Sequence, residues 1–248
     1  MTVPRHIFQT WETREVPSQW KTAHHTVLQH NPEFQYFLIT DDDRYMILRR
    51  HFPSLVPIMK RYPYAIQRAD LIRYVLLYLY GGVYLDLDYV CLRNLAPLLD
   101  SLPPGCAVGL VPSNNSRGHV TNSVLVSHPR AEFWLYVIRA AMQNKPWWAV
   151  TKHLLVFSTT GPFMLNRILG AYPRPWKIHI FRNVVVPCNT CNLTRCKATD
   201  LECFLLPVVG KSWHDWDSSM FDWMYCHSTL LLMAMVCFTI CFMIHKSK

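Results

Sequence analysis

The chain reads as a single α/β domain on a mostly parallel sheet with a crevice at the strand ends, followed by one short apolar segment. Three observations predict this. Signals alternate in the order strand, helix, strand, helix, helix, strand and then mixed elements, the pattern that lays helices over parallel strands and leaves a crevice at their carboxyl ends. The 248 residues suit one core, since a single domain of roughly 200 or more residues buries a sufficient apolar surface. No internal repeat, low-complexity run or linker divides the chain, and Pro103-Pro104-Gly105 reads as a loop within the domain.

Taken in order, Pro4-Arg5-His6-Ile7-Phe8-Gln9-Thr10-Trp11 is an opening strand. Asn31-Pro32 precedes a second strand over Phe34 to Ile39, which runs into a helix starting at Asp41-Asp42-Asp43. Acids favour a helix N-terminus, so these three are read as a helix start and not as a second metal site. Tyr64 to Tyr80 is a helix with an apolar face and no proline, stopped by Gly81-Gly82. Asp70 and Arg73, three apart, share one of its faces. From Val83 to Val90 the period changes to two: Val83, Leu85 and Leu87 point to the core, and Tyr84, Asp86 and Asp88 point the other way. Two acids on one strand face repel unless a cation lies between them, and carboxylate oxygens suit Mg²⁺ or Mn²⁺. An ion held by so few protein ligands keeps positions open for substrate phosphates.

This block of helix, double glycine and strand ending in Asp86-Leu87-Asp88 resembles the nucleotide-sugar glycosyltransferases of the DxD class. Within that class it is similar to the family of Och1-type and inositol-phosphoceramide mannosyltransferases, with the large clostridial glucosylating toxins as more distant relatives. The likeness covers most of residues 1 to 217, because further motifs recur in order: the opening strand through Trp11, Ser158-Thr159-Thr160-Gly161-Pro162-Phe163, and Gly210-Lys211-Ser212-Trp213-His214-Asp215-Trp216-Asp217. It implies a Rossmann-like fold of the GT-A type. It also implies donor contacts by Gln9, Trp11, Tyr84, Asn122, Gly161 and Trp213, with the Trp11 ring against the nucleotide base. Asp86 and Asp88 would hold Mn²⁺ or Mg²⁺, with His214 or Ser212 completing the sphere. Arg73 would contact the phosphate or sugar, and Asp70 would accept from sugar hydroxyls. The implied reaction is retaining transfer of a hexose, mannose from GDP-mannose first and UDP-hexoses second, to a lipid or glycan acceptor. Two other readings stay open: a metal-dependent nucleotidyltransferase or phosphohydrolase, and a membrane-anchored sugar-nucleotide-binding or scaffold protein without catalysis.

Ser228 to Ile244 carries no charge and is followed by His245-Lys246-Ser247-Lys248. As a helix it would span roughly 26 Å at 1.5 Å per residue, near the lower limit for a bilayer core. The expected division is a catalytic domain over 1–226, a single-pass membrane anchor over 227–245 and a basic tail over 246–248. Lys246 and Lys248 favour a cytosolic C-terminus and a lumenal domain, whereas the lack of a signal peptide before the first strand favours a tail-anchored enzyme facing the cytosol. Either orientation belongs to an endomembrane, Golgi or ER. Cys188, Cys191, Cys196 and Cys203 cluster closely enough for disulfides, free thiols or zinc, and disulfides would require a lumenal domain. Asn114-Asn115-Ser116 and Asn192-Leu193-Thr194 are glycosylation tripeptides in that case. The net charge of +9 implies an anionic partner, either a sugar-nucleotide diphosphate or an anionic lipid surface. No basic helix or aromatic-basic strand motif argues for nucleic acid.

Overall fold

The computed structural model describes residues 2–113, 118–143, 146–188, 191, 202–208, 210, 212 and 214–228. In chain order the elements are β1 (His6–Thr10), α1 (Lys21–His30), β2 (Gln35–Ile39), α2 (Asp41–His51), α3 (Val56–Arg61), α4 (Ala65–Tyr80), β3 (Gly82–Leu85), β4 (Tyr89–Cys91), α5 (Ala96–Asp100), β5 (Val108–Pro112), β6 (Val120–Ser127), α6 (Phe133–Gln143), α7 (Lys152–Thr159), α8 (Pro162–Ala171), β7 (Ile178–Ile180), β8 (Leu205–Pro207) and α9 (Trp216–Cys226). The main sheet has the order β2-β1-β3-β6-β5-β7, and β4 pairs with β8 in a separate two-stranded sheet. β1 runs parallel to β2 and β3, β6 runs antiparallel to β3 and β5, and β7 runs parallel to β5. Five strands therefore point one way and β6 alone points back, which agrees with the mostly parallel sheet expected from the element order.

Period-two alternation divides the core between the two faces of the sheet. Phe8, Tyr84, Val108, Leu110 and Leu125 pack on the side of α4 and α6. Ile7, Val83, Leu85, Val124 and Val126 pack on the other side against Val27 of α1 and Leu98 and Leu99 of α5. The acids at 41–43 do open α2: Thr40 is its cap, its hydroxyl accepting from the Asp43 amide while the Asp43 carboxylate accepts from the Thr40 amide. α4 ends where the glycines stop it, with Gly81 at φ +63° and Gly82 at φ +105°. A Cβ at Gly82 would lie 2.6 Å from the His6 carbonyl oxygen, so the close approach of β3 to β1 also demands glycine.

The single strand expected over Val83 to Val90 is two. β3 ends at Leu85, Leu87 and Asp88 form a turn, and β4 leaves for the other sheet. Leu87 packs with Trp20 and Leu38 outside the main core, so its apolar side chain extends the period-two pattern without belonging to the same strand. The expected anchor, apart from its first two residues, lies outside the described residues. Among the described residues no helix is long and apolar enough to cross a membrane.

Candidate active site

Because β1, β2 and β3 are parallel, Trp11, Thr40 and Asp86 all emerge at one end of the sheet. Antiparallel β6 brings its beginning to the same end: Leu85 pairs with Val124, and the Asp86 amide donates to the Ser123 carbonyl at 2.9 Å. Asn122 thus reaches the site from a distant part of the sequence. Here a cavity of about 320 Å³ opens, walled by Thr10, Trp11, Arg44, Arg73, Asp86 and Asp88 together with Tyr64, Lys152 and Ser212. A larger cavity of about 530 Å³ lies at the opposite end of the sheet, by Pro104, His128 and Lys177, and lacks a carboxylate pair.

Under the cavity lies a buried polar network centred on Arg73. Its Nη2 is 2.9 Å from Asp70 Oδ1, and both side chains are buried. Its Nη1 donates to the Asn122 carbonyl at 2.7 Å and lies 3.3 Å from Asp86 Oδ1, while the guanidinium sits 4.5 Å from the centre of the Tyr84 ring. Asp70 also accepts from Asn122 Nδ2 at 3.0 Å and from the Thr160 hydroxyl at 2.8 Å. Burial alone would lower the Arg73 pKa, but Asp86, Tyr84 and Asp70 more than offset it, so the guanidinium stays charged. Burial raises the Asp70 pKa, opposed by Arg73 and the two donated hydrogen bonds.

Asp86 and Asp88 differ in their surroundings. Asp86 Oδ1 accepts from the Tyr84 hydroxyl at 2.7 Å, and its carbonyl accepts from Gln9 Nε2 at 3.2 Å. Burial holds the Tyr84 phenol well above its usual pKa, so it remains a donor. Among the described residues, Asp88 has a buried Oδ1 with no hydrogen-bond partner. Burial, then the Asp86 charge, push its carboxyl up to about 7. A Cβ at Gly210 would lie 1.9 Å from Asp88 Oδ2, so a larger residue there would have to displace that carboxylate. An unpartnered buried carboxylate oxygen beside a second acid, on a cavity wall, fits a hard divalent cation, which would supply the missing partner.

The other expected residues fall into three groups. Trp11, Arg73, Asp86, Asp88 and Ser212 meet at the cavity wall. Gln9, Asp70, Tyr84 and Asn122 lie behind that wall: Gln9 is fully buried, its amide donating to Asp86 and accepting from the Tyr36 hydroxyl at 3.0 Å, and both Asp70 oxygens are occupied. These four reach the cavity through the groups they orient. Gly161 is at neither place. It is the N-cap of α8, where a Cβ would come within 3.0 Å of Phe157 and Val156, and its neighbour Thr160 is the residue that touches Asp70. His214 points to α9, with Nδ1 4.0 Å from Asp222 and its ring 6.3 Å from that of His153. Among the described residues no three His, Cys, Asp or Glu side chains gather closely enough to hold a metal ion. Trp213 lies outside the described residues.

Four participants escape a linear reading. Thr10 hydrogen-bonds the Tyr84 hydroxyl at 3.0 Å, and Thr160 supports Asp70. Lys152 reaches the cavity 5.5 Å from the Tyr64 ring centre. Arg44 lines the cavity although it is 2% exposed and ion-paired with Asp41, and its Nε and Nη1 are buried without partners among the described residues. In the sequence Arg44 looks like one end of an ordinary i,i+3 surface pair, and only its burial sets it apart.

The family description "Glycosyltransferase sugar-binding region containing DXD motif" matches residues 17–105. Mannosyl phosphorylinositol ceramide synthase SUR1 of Saccharomyces cerevisiae is 34% identical over 71% of this chain and 44% of its own length. Inositol phosphoceramide mannosyltransferase 3 of Schizosaccharomyces pombe is 33% identical over 91% of this chain and 60% of its own. The initiation-specific alpha-1,6-mannosyltransferase of S. cerevisiae is 29% identical over 51% of this chain and 29% of its own. The chain thus spans about half the length of the inositol phosphoceramide relatives it matches. Among solved structures, the glycosyltransferase GlyE of Streptococcus pneumoniae superposes with a TM-score of 0.54 over 90% of this chain and 60% of its own, at 12% identity. The glycosyltransferase domain of the YGT toxin gives 0.51 over 73% and 80%, at 10% identity. The fold is of the GT-A glycosyltransferase kind. By sequence the chain is similar to the DXD-motif glycosyltransferases over residues 17–105, and to inositol phosphoceramide mannosyltransferases and Och1-type α-1,6-mannosyltransferases.

Proposed function

We propose that this chain is the catalytic domain of a metal-dependent, retaining hexosyltransferase that moves mannose from GDP-mannose to a lipid or glycan acceptor at an endomembrane. The observation that carries the reading is the Asp86–Asp88 pair on the wall of the strand-end cavity, with an unpartnered buried oxygen on Asp88 and the Arg73 guanidinium beside it. The names of the relatives support mannose over other hexoses, with UDP-hexoses as the second choice of donor.

Asp86 and Asp88 would hold Mn²⁺ or Mg²⁺, and Ser212 is the further oxygen on the same wall. When bound, such an ion supplies Lewis-acid neutralisation of the diphosphate, which makes the nucleoside diphosphate a better leaving group. Tyr84 and Gln9 fix Asp86 from behind through its carboxylate and its carbonyl. Asp70, itself fixed by Thr160 and Asn122, holds the Arg73 cation where it faces donor phosphate or sugar oxygens. Lys152 adds a second cation to the wall, and Trp11, braced edge-to-face on Trp20 at 5.1 Å, offers an aromatic face for the base. The apolar segment 227–245 would anchor the domain. The disulfide between Cys191 and Cys226, with Cys188 also disulfide-bonded, supports an oxidising, lumenal setting for it.

Purified protein with Mn²⁺ and a panel of nucleotide sugars tests this by release of GDP or UDP. GDP-mannose should turn over, and Asp88→Ala should abolish it. Turnover of no donor, or release of pyrophosphate, would defeat the reading.

A further inference from the structure

α9 is built inside out. Trp216, Met220, Trp223 and Met224, at i, i+4, i+7 and i+8, form one apolar stripe, and they are 69%, 40%, 52% and 43% exposed. The side turned to the protein is partly polar. Asp217 and Ser218 are buried: Asp217 Oδ2 accepts from the His153 amide at 2.6 Å, and Ser218 Oγ lies 3.0 Å from His153 Nδ1. Phe221 stacks on His153 with ring centres 5.0 Å apart. A free surface helix normally turns its apolar stripe inward. Here packing and hydrogen bonds commit the polar side inward and leave the stripe outside.

More apolar surface converges on the same corner, at the N-terminus of α7. The preceding loop exposes Trp147 at 91% and Val150 at 83%, and Trp148 packs edge-to-face with Phe163 of α8 at 6.5 Å. Lys152 pairs with Asp215, the cap of α9, at 3.8 Å and also lines the donor cavity. The apolar face therefore lies beside the mouth of the candidate active site. In the sequence α9 runs directly into the charge-free stretch Ser228 to Ile244.

We infer that the α9 stripe and the 147–150 loop form a membrane-docking face that lies in the lipid headgroup and upper acyl layer and holds the donor cavity against the bilayer. Tryptophan is suited to that layer because its ring is apolar and its N–H remains hydrated. Continuity with the apolar stretch selects a bilayer as the occupant. The inference rests on the membrane-anchor reading above and extends it, since an anchor alone would leave the domain free to tumble on its tether. A docked domain would meet a lipid acceptor at the surface in a fixed orientation.

The test exploits the absence of tryptophan from residues 228–248, so fluorescence of the full chain reports the domain and not the anchor. The full-length protein is reconstituted in phosphatidylcholine–phosphatidylserine vesicles with and without brominated lipid. Bromolipid should quench the wild type, and the triple variant Trp147→Ser/Trp216→Ser/Trp223→Ser should lose most of that quenching. Trp176→Ser should keep it, since Trp176 is 66% exposed at the far end of the sheet. Equal thermal unfolding and donor-nucleotide binding in all variants verifies that each is folded. Vesicle-bound protein whose tryptophans are unquenched overturns the docking face while leaving the anchor intact. A dimer in that case identifies a second copy on the stripe, and a monomer identifies the chain's own C-terminal residues. Quenching that survives in the triple variant overturns it as well. Failure to float with vesicles overturns both the docking face and the anchor reading.

Discussion

Asp86 and Asp88 stand two residues apart and do different work. Asp86 is held by Tyr84, Arg73 and Gln9, whereas Asp88 has an orphaned oxygen and a carboxyl pushed up to about 7 by burial and by Asp86. From about pH 4, the ordinary carboxylate range, to about pH 7, the folded protein keeps a proton that the unfolded chain has released. Stability of the metal-free protein is therefore fully present below that window and falls as pH rises through it. Thermal unfolding in chelator should show this decline, and Asp88→Asn should flatten it. Mn²⁺ should raise the melting temperature of the wild type most at the alkaline end, where the ionised pair is available to bind it. At this scale the charged residues were legible, because an acid-x-acid triplet and an acid–arginine pair three apart have few other uses in an apolar context. That Gln9, Asn122 and Thr160 bond to Asp86 and Asp70 was not legible, because a neutral polar side chain carries no sign of what it will face.

The helix–glycine–glycine–strand unit is the element that presents the acids. Its conformation was readable since only glycine takes φ +63° and +105° at no cost. Gly82→Ala would force a non-glycine residue to positive φ and drive a Cβ into the His6 carbonyl, where β1 and β3 pair. We expect a loss of about 1–3 kcal/mol of stability, measured by urea unfolding, with donor turnover reduced because Trp11 directly follows β1. The start of α2 was equally legible, as its acids and the Thr40 cap are local. The break after Leu85 was not. Period-two hydrophobicity is the same whether Leu87 continues a strand or crosses a turn into another small cluster.

Across the whole molecule, contacts distant in sequence complete the site. Asn122 and Thr160 meet Asp70 from 52 and 90 residues away. A disulfide ties Cys191 to Cys226 at the end of α9 across 35 residues. Cys226→Ser should lower stability by about 3–4 kcal/mol on a chain-entropy basis for a loop of that size. Unfolding under non-reducing and reducing conditions would check this: wild type and variant should differ when oxidised and coincide when both are reduced, since reduction also opens the Cys188 disulfide. The sequence alone determined the alternation of helices and strands, the glycine stop, the acid pair and the likeness to DXD glycosyltransferases, because each is written in neighbouring residues and in spacings of two to four. Only the tertiary structure decided that β6 runs against its neighbours, that Asp70 and Gln9 stand behind the cavity wall, that His214 turns to α9 and that α9 shows its apolar stripe to the outside. Those outcomes depend on which surfaces meet when the sheet closes, and no local pattern of side chains encodes the partner it will bury.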